Sequence, residues 1–123
     1  MIKRLFILFL LASCYNVDRD CKNFKTGQFE FTYKLNDTIQ RSLFTRTLDY
    51  EIEEFNNVID SSSISLVNDC EFVLTKVNPK KNQEKRPVRI KIIRTYENYY
   101  DFEYSSVNEP IIIKRGTVTR IKG

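Results

Sequence analysis

The sequence predicts an all-β fold: an antiparallel up-and-down meander of about seven or eight strands, closed into a small barrel or strongly curled sheet. Three observations predict it. From about residue 26 onward, large apolar side chains alternate with polar ones at period two. Turn-forming pairs rich in Asn and Asp interrupt that alternation at short intervals. No segment carries a 3.6-residue apolar period of useful length. In roughly 100 residues such a meander closes most economically on itself, and closure removes the exposed strand edges that invite aggregation.

Taken in order, Phe29, Phe31, Tyr33 and Leu35 alternate with Gln28, Glu30, Thr32 and Lys34 to give a first half-buried strand after Thr26-Gly27. Asn36-Asp37 is a turn. Ile39 to Phe55 suffices for one bent strand or two short ones, and in it Leu48, Tyr50 and Ile52 alternate with Asp49, Glu51 and Glu53. Asn56-Asn57 and Asp60 to Ser63 read as breakers. Ile64, Leu66, Cys70, Phe72 and Leu74 resume the alternation, with Asn68-Asp69 as a turn or bulge. Asn78-Pro79 to Arg86-Pro87 is a polar, basic loop. Val88, Ile90 and Ile92 then alternate with Arg89 and Lys91, Glu97-Asn98 turns the chain, and Tyr100, Phe102 and Tyr104 share one face. Ser105 to Pro110 reads as another loop. Ile111 to Ile121 is a final strand of ambiguous parity, because Ile111-Ile112-Ile113 is apolar on both sides, and Gly116 marks an expected bulge.

The N-terminus reads as an address. Lys3 and Arg4 precede an apolar run from Leu5 to Ala12, too short for the ~20 residues that span a bilayer core and arranged as in a secretory signal peptide. Leu11-Ala12-Ser13-Cys14 resembles the lipobox of bacterial lipoproteins. That resemblance implies cleavage before Cys14, lipidation of its sulfur and acylation of the new amine, and two or more chains make a stable anchor. The expected organisation is a signal peptide over 1–13, a lipidated polar tether over 14–25 and a single β domain over 26–123. Asp18 and Asp20 read as part of a solvated spacer. Tyr15, rather than an aspartate, follows the anchor, so the expected location is the bacterial envelope, on the outer membrane.

Of three cysteines, Cys14 goes to lipid and leaves Cys21 and Cys70 in an oxidising compartment, where a disulfide is expected. Two cysteines without any histidine do not make a zinc site. Neither a metal nor a cofactor is expected. The whole chain is +4, no nucleic-acid signature, but its charge is divided. Residues 14–72 carry six Lys/Arg against eleven Asp/Glu, a net −5, and residues 73–123 carry twelve against five, a net +7. In a sheet the two halves can neutralise each other at neighbouring strands.

The segments Cys21-Lys-Asn-Phe-Lys-Thr-Gly27, Val67-Asn-Asp-Cys-Glu-Phe-Val-Leu74 and Gly116-Thr-Val-Thr-Arg-Ile121 resemble a family of small, uncharacterised lipoproteins of flavobacteria and other Bacteroidota. The resemblance runs over nearly the whole chain, and the spacing of Cys21 and Cys70 fits it. It implies no catalytic residues. Some members carry the label DNA topoisomerase IV, which these residues do not support. Such an enzyme needs a tyrosine nucleophile in a DNA-binding fold, acidic metal ligands and several hundred residues.

No catalytic residue is expected. The chain has no histidine for a Ser-His or Cys-His pair, and its three glycines form no phosphate cradle. Asp49, Glu51, Glu53 and Glu54 contain two carboxylates' worth of hydrolase chemistry, yet strand alternation predicts Asp49, Glu51 and Glu53 as a solvated face. Lys80, Lys81, Lys85 and Arg86, with Arg89, Lys91 and Arg94, suit anionic lipid headgroups, or simply a solvated loop and outer face. Two classes of function follow. One is an envelope structural or interaction protein, with other envelope proteins as partners, whose aromatic face is a filled core. The other is a lipocalin-like binding module in which Phe29, Phe31, Tyr33, Phe72, Tyr100, Phe102 and Tyr104 enclose a small apolar ligand. The filled core is the default expectation for so many large aromatics in a small chain, since barrels of about eight strands exist in both forms.

Overall fold

Eight antiparallel strands follow one another round a closed barrel, each paired with its sequence neighbours and the last with the first. They are β1 (Gly27–Leu35), β2 (Thr38–Arg46), β3 (Tyr50–Phe55), β4 (Val58–Asn68), β5 (Glu71–Lys76), β6 (Val88–Thr95), β7 (Tyr99–Ser106) and β8 (Glu109–Lys122). The computed structural model describes residues 19–122. The predicted leader over 1–13 and the lipidation site Cys14 lie outside the described residues. No described helix is long and apolar enough to cross a membrane.

Turn chemistry sets the hairpin registers. Asn36 and Asp37 have φ of 50° and 63°, and Asn56 and Asn57 have 49° and 64°. Two successive positive-φ residues make the type I′ turn whose twist matches flanking strands, and Asn and Asp tolerate it best after glycine. Leu35 therefore pairs with Thr38, and Phe55 with Val58. With β1 so registered, Phe29 opposes Phe44 and Phe31 opposes Ser42. The even-numbered residues of β5 to β7, Phe72, Leu74, Ile90, Ile92, Tyr100, Phe102 and Tyr104, line the same interior.

One end of the barrel is filled. A short 3-10 helix, Cys21–Phe24, lies across it with Cys21 and Phe24 buried, so the folded unit begins before Thr26 and takes in residues expected on the tether. Phe24 meets Tyr100 edge-on at 5.2 Å between centroids, and Phe29 stacks on Phe44 at 5.4 Å. Cys21 and Cys70 form the expected disulfide, with Cα atoms 5.2 Å apart. Lys25 bonds Asp69 at 2.7 Å beside it, and the Asp20 amide donates to Thr95 Oγ1 at 2.7 Å.

Four local expectations are corrected. Asp60 to Ser63 does not break the chain but lies inside β4, where Ser61 and Ser62 pair with Ile52 and Glu51; ladder hydrogen bonds override the poor strand propensity of serine. Ser105 to Pro110 is mostly strand, with only Val107 and Asn108 between β7 and β8. Gly116 holds regular register opposite Phe102. A Cβ there would lie 2.7 Å from the Phe31 ring and 3.0 Å from that of Phe102, so the glycine makes room for two aromatics. The irregularity of β8 lies earlier. Tyr104 pairs with Lys114 and Ser106 with Glu109, so one residue of β7 faces four of β8. The isoleucine triplet occupies that excess, which is why it has no clear parity.

The fourth correction concerns β3. Glu51 and Glu53 share the inner face with Phe55, Glu51 half-buried and Glu53 exposed where the cavity opens, whereas Tyr50, Ile52 and Glu54 face outward and Asp49, before the strand, is exposed. Arg46 pairs with Glu51 and Phe44 with Glu53, so the strand follows the inner face of β2. Leu48, Tyr50 and Ile52 are 60%, 51% and 42% exposed. The carboxylates are drawn in because β2 carries Arg46 into the barrel, and a buried guanidinium requires a partner.

Candidate functional site

The interior divides into a packed floor and an open upper half. The floor is organised by Arg46, 5% exposed. Its Nη1 donates to the Phe24 carbonyl at 2.9 Å, its Nε and Nη2 donate to Glu51 Oε1 at 3.1 and 3.0 Å, and Nη2 also donates to Tyr100 Oη at 2.7 Å. The guanidinium lies 4.8 to 5.7 Å from the ring centres of Phe72, Phe29, Phe44 and Tyr100, an arrangement that adds cation–π attraction. Arg120, from β8, lies over the Phe24 ring at 4.8 Å and donates to the carbonyls of Thr26 and Asn23.

Burial and the contacts within this cluster act on its protonation in opposite directions. Burial by itself would lower the Arg46 guanidinium, but the Tyr100 hydroxyl and the Glu51 carboxylate outweigh it and hold it above its ordinary value. Burial pushes the Tyr100 phenol up, against the pull of Arg46. Burial likewise raises Glu51, with Arg46 opposing.

Above this floor lies a cavity of about 220 Å³. Phe31, Phe44, Tyr100, Phe102 and Tyr104 supply its aromatic wall, Leu74, Ile90 and Val118 its aliphatic part, and Arg46, Glu51 and Glu53 its polar side. A neighbouring lobe of about 200 Å³ shares Glu51, Glu53 and Leu74 and extends past Asp60 and Lys76 toward Glu84 and Arg86 at the mouth. The expectation of a uniformly filled barrel thus holds for one end only.

The residues expected to enclose a ligand all point inward but separate by depth. Phe29, Phe72 and Tyr100 are buried in the floor cluster. Phe31, Tyr100, Phe102 and Tyr104 line the cavity. Tyr33 stands at the rim, stacked between Phe31 at 5.6 Å and Phe55 at 6.2 Å, and lines neither lobe. Arg46, Glu51, Glu53, Phe44 and Lys76 were not anticipated as interior residues. A signal for the first three existed: Phe44 shares parity with Arg46, and Phe55 shares parity with Glu51 and Glu53.

The polar wall is unbalanced in one respect. Each cation near it is engaged: Arg46 as described, Lys76 with Asp60 at 3.3 Å and Glu84 at 3.4 Å, and Arg86 with Glu109 at 2.9 Å. Glu53 accepts one bond, from the Ser42 hydroxyl to Oε2 at 2.8 Å, and has no cationic partner among the described residues. Among those residues no group of three or more His, Cys, Asp or Glu side chains forms a metal site.

No family model, curated protein or solved structure matches the chain significantly.

Proposed function

We propose that the chain is a lipid-anchored protein of the bacterial envelope whose barrel is a non-enzymatic, lipocalin-like binding module for a small, largely apolar ligand. One observation carries the binding role. A cavity of about 220 Å³ opens inside a closed barrel, walled mainly by aromatic and aliphatic side chains with a few placed polar groups. That composition is usual for small-molecule sites, and the volume lies below the ~300 Å³ of drug-sized pockets, so the occupant is fragment-sized or extends into the second lobe. The anchor rests on the lipobox-like Leu11 to Cys14 and on the resemblance of the chain to small lipoproteins. Residues 19–25 lie at the plugged end, so an anchor attached on this side would leave the open end of the barrel free.

Titration of the purified protein with toluene, followed by amide NMR, tests the binding role. Saturable shifts clustered at Phe31, Leu74, Ile90 and Tyr104, abolished by Leu74→Trp, are expected; Leu74 borders both lobes, so the indole fills their junction. Unsaturable shifts, or shifts confined to outward-facing residues, would overturn it. For the anchor, the intact mass of membrane-fraction protein should show loss of residues 1–13 and added acyl chains, both abolished by Cys14→Ser.

A second reading has its own observation. Ile111, Ile112 and Ile113 are 90%, 54% and 52% exposed, and a groove of about 270 Å³ on the outer wall is bordered by Leu43, Ile52, Ile59 and Ile121. Such apolar exposure suits a protein partner in the envelope. Ile112→Lys and Ile59→Lys would then reduce capture of that partner while leaving toluene binding intact.

A further inference from the structure

We infer that the cavity selects ligands with a cationic, hydrogen-bond-donating head, such as a protonated amine, on a ring-sized apolar body. The inference rests on the binding role proposed above and names the chemistry of its occupant.

Of the polar side chains that border the cavity, Glu51 and Glu53 each present a carboxylate oxygen without a donor, and the Tyr104 hydroxyl can donate or accept. Glu53 Oε2 has the Ser42 hydroxyl, and Oε1 has no protein donor among the described residues. Glu51 presents Oε1 to Arg46, and its Oε2 likewise lacks a donor among those residues. The nearby cations do not compete for an anionic ligand. Arg46 directs four of its five N–H donors to Glu51, Tyr100 and the Phe24 carbonyl, and Lys76 lies between Asp60 and Glu84. Lys114, opposite Tyr104 in the ladder, borders neither lobe. An anionic head would therefore face two carboxylates while each nearby cation already holds an acidic partner, whereas an ammonium would meet the exposed carboxylate of Glu53 at the cavity wall.

The aromatic wall favours the same charge. Phe31 meets Phe102 edge-on at 5.7 Å, and Phe102 stacks on Tyr104 at 5.5 Å. These rings and Glu53 border one cavity, and ring faces attract cations electrostatically. A body of about one ring with a short arm suits the volume and places its head at the acidic wall while its ring meets Ile90 and Val118.

The test compares three isosteric probes by calorimetry and amide NMR: 2-phenylethylammonium, 2-phenylethanol and phenylacetate. The ammonium is expected to bind roughly tenfold more tightly than the alcohol, as a charge-assisted hydrogen bond predicts, and the carboxylate more weakly than either. Glu53→Gln, whose amide keeps a carbonyl for Ser42, is expected to bring the ammonium-to-alcohol ratio close to one. Tyr104→Leu should lower ammonium affinity roughly threefold by removing a ring face. Equal affinity for ammonium and alcohol, or a preference for the carboxylate, would overturn the inference while leaving the cavity as a binding site. An ammonium preference that survives in Glu53→Gln would overturn the role of Glu53. Failure of all three probes with toluene still bound refutes the cationic head alone, and failure of toluene as well refutes the binding role beneath it. The wild-type comparison of the three probes reads the charge preference without any variant, so a variant that does not fold leaves the test decisive.

Discussion

Arg46, from β2, reaches across the barrel to place Nη2 2.7 Å from the phenolic oxygen of Tyr100, on β7. The same guanidinium holds Glu51 and the carbonyl of Phe24, so one side chain joins two opposite walls and the plug. Removing it leaves a Glu51 carboxylate, 14% exposed, beside apolar rings with no partner. Arg46→Ala should cost about 3–5 kcal/mol, the usual penalty for breaking a buried pair from one side. Tyr100→Phe removes one bond to a charged group and should cost about 1.5–3 kcal/mol. Urea unfolding followed by circular dichroism orders the two; a smaller loss for Arg46→Ala than for Tyr100→Phe would contradict this role for the guanidinium.

Gly116 should not accept a methyl group. Its Cβ would stand 2.7 Å from the Phe31 ring and 3.0 Å from the Phe102 ring, and neither can swing away freely, because Phe31 stacks on Tyr33 and Phe102 on Tyr104. Overpacking of this kind costs about 1–3 kcal/mol. Gly116→Ala is expected to lower the urea midpoint and, because Phe31 and Phe102 border the cavity, to weaken toluene binding. An unchanged midpoint would show that the wall yields.

These two positions also mark what the sequence made legible. Alternation of large apolar residues gave the inner faces of β1, β5, β6 and β7, because each of those strands buries one side and side-chain period is two. Asn36-Asp37 and Asn56-Asn57 gave their turns through a backbone conformation few residues tolerate. The parity of β3 was hidden, since alternation tells which residues share a face but not which face is buried. Apolar Tyr50 and Ile52 suggested the wrong answer, and only the pairing of Arg46 with Glu51 reverses it. The cavity was illegible for a related reason: whether inward aromatics meet or leave space depends on Gly116, Ser42 and Ser62, small residues whose effect is set by register.

Acid should loosen the plugged end. The hydrogen bond from Arg89 holds the Glu71 carboxyl below its ordinary 4.5, and that from Lys25 holds Asp69 below its ordinary 3.8. Both bind protons less readily in the folded chain, so the unfolded chain takes up more protons as the pH falls. Their contribution is complete above the ordinary carboxylate range and is lost as the pH drops through the lowered values. Glu51 acts in the opposite sense: raised by burial, it contributes most at low pH and less as the pH rises through its folded value. Unfolding midpoints should therefore fall below about pH 4.5, with a shallower acid limb in Glu71→Gln. An acid limb unaltered in that variant would assign the loss to other carboxylates.

Reduction should release the plug and, with it, the shape of the floor. Cys21 and Cys70 are 49 residues apart in sequence, and a loop of that length restricts the unfolded chain by about 4 kcal/mol in the chain-entropy model. The disulfide is one of several attachments. Arg46 and Arg120 both donate to carbonyls of the segment from Asn23 to Thr26, and Lys25 bonds Asp69. The reduced protein should thus keep its barrel at neutral pH, gain two hydrogens in mass, and unfold at a markedly lower urea concentration. Because Phe24 caps Tyr100, which also borders the cavity, loosening the plug should weaken toluene binding without abolishing it. If reduction abolished the β signal by circular dichroism, the disulfide would be indispensable to the fold rather than one latch among several. If it left the urea midpoint unchanged, the arginines and the Lys25–Asp69 pair would hold the plug unaided.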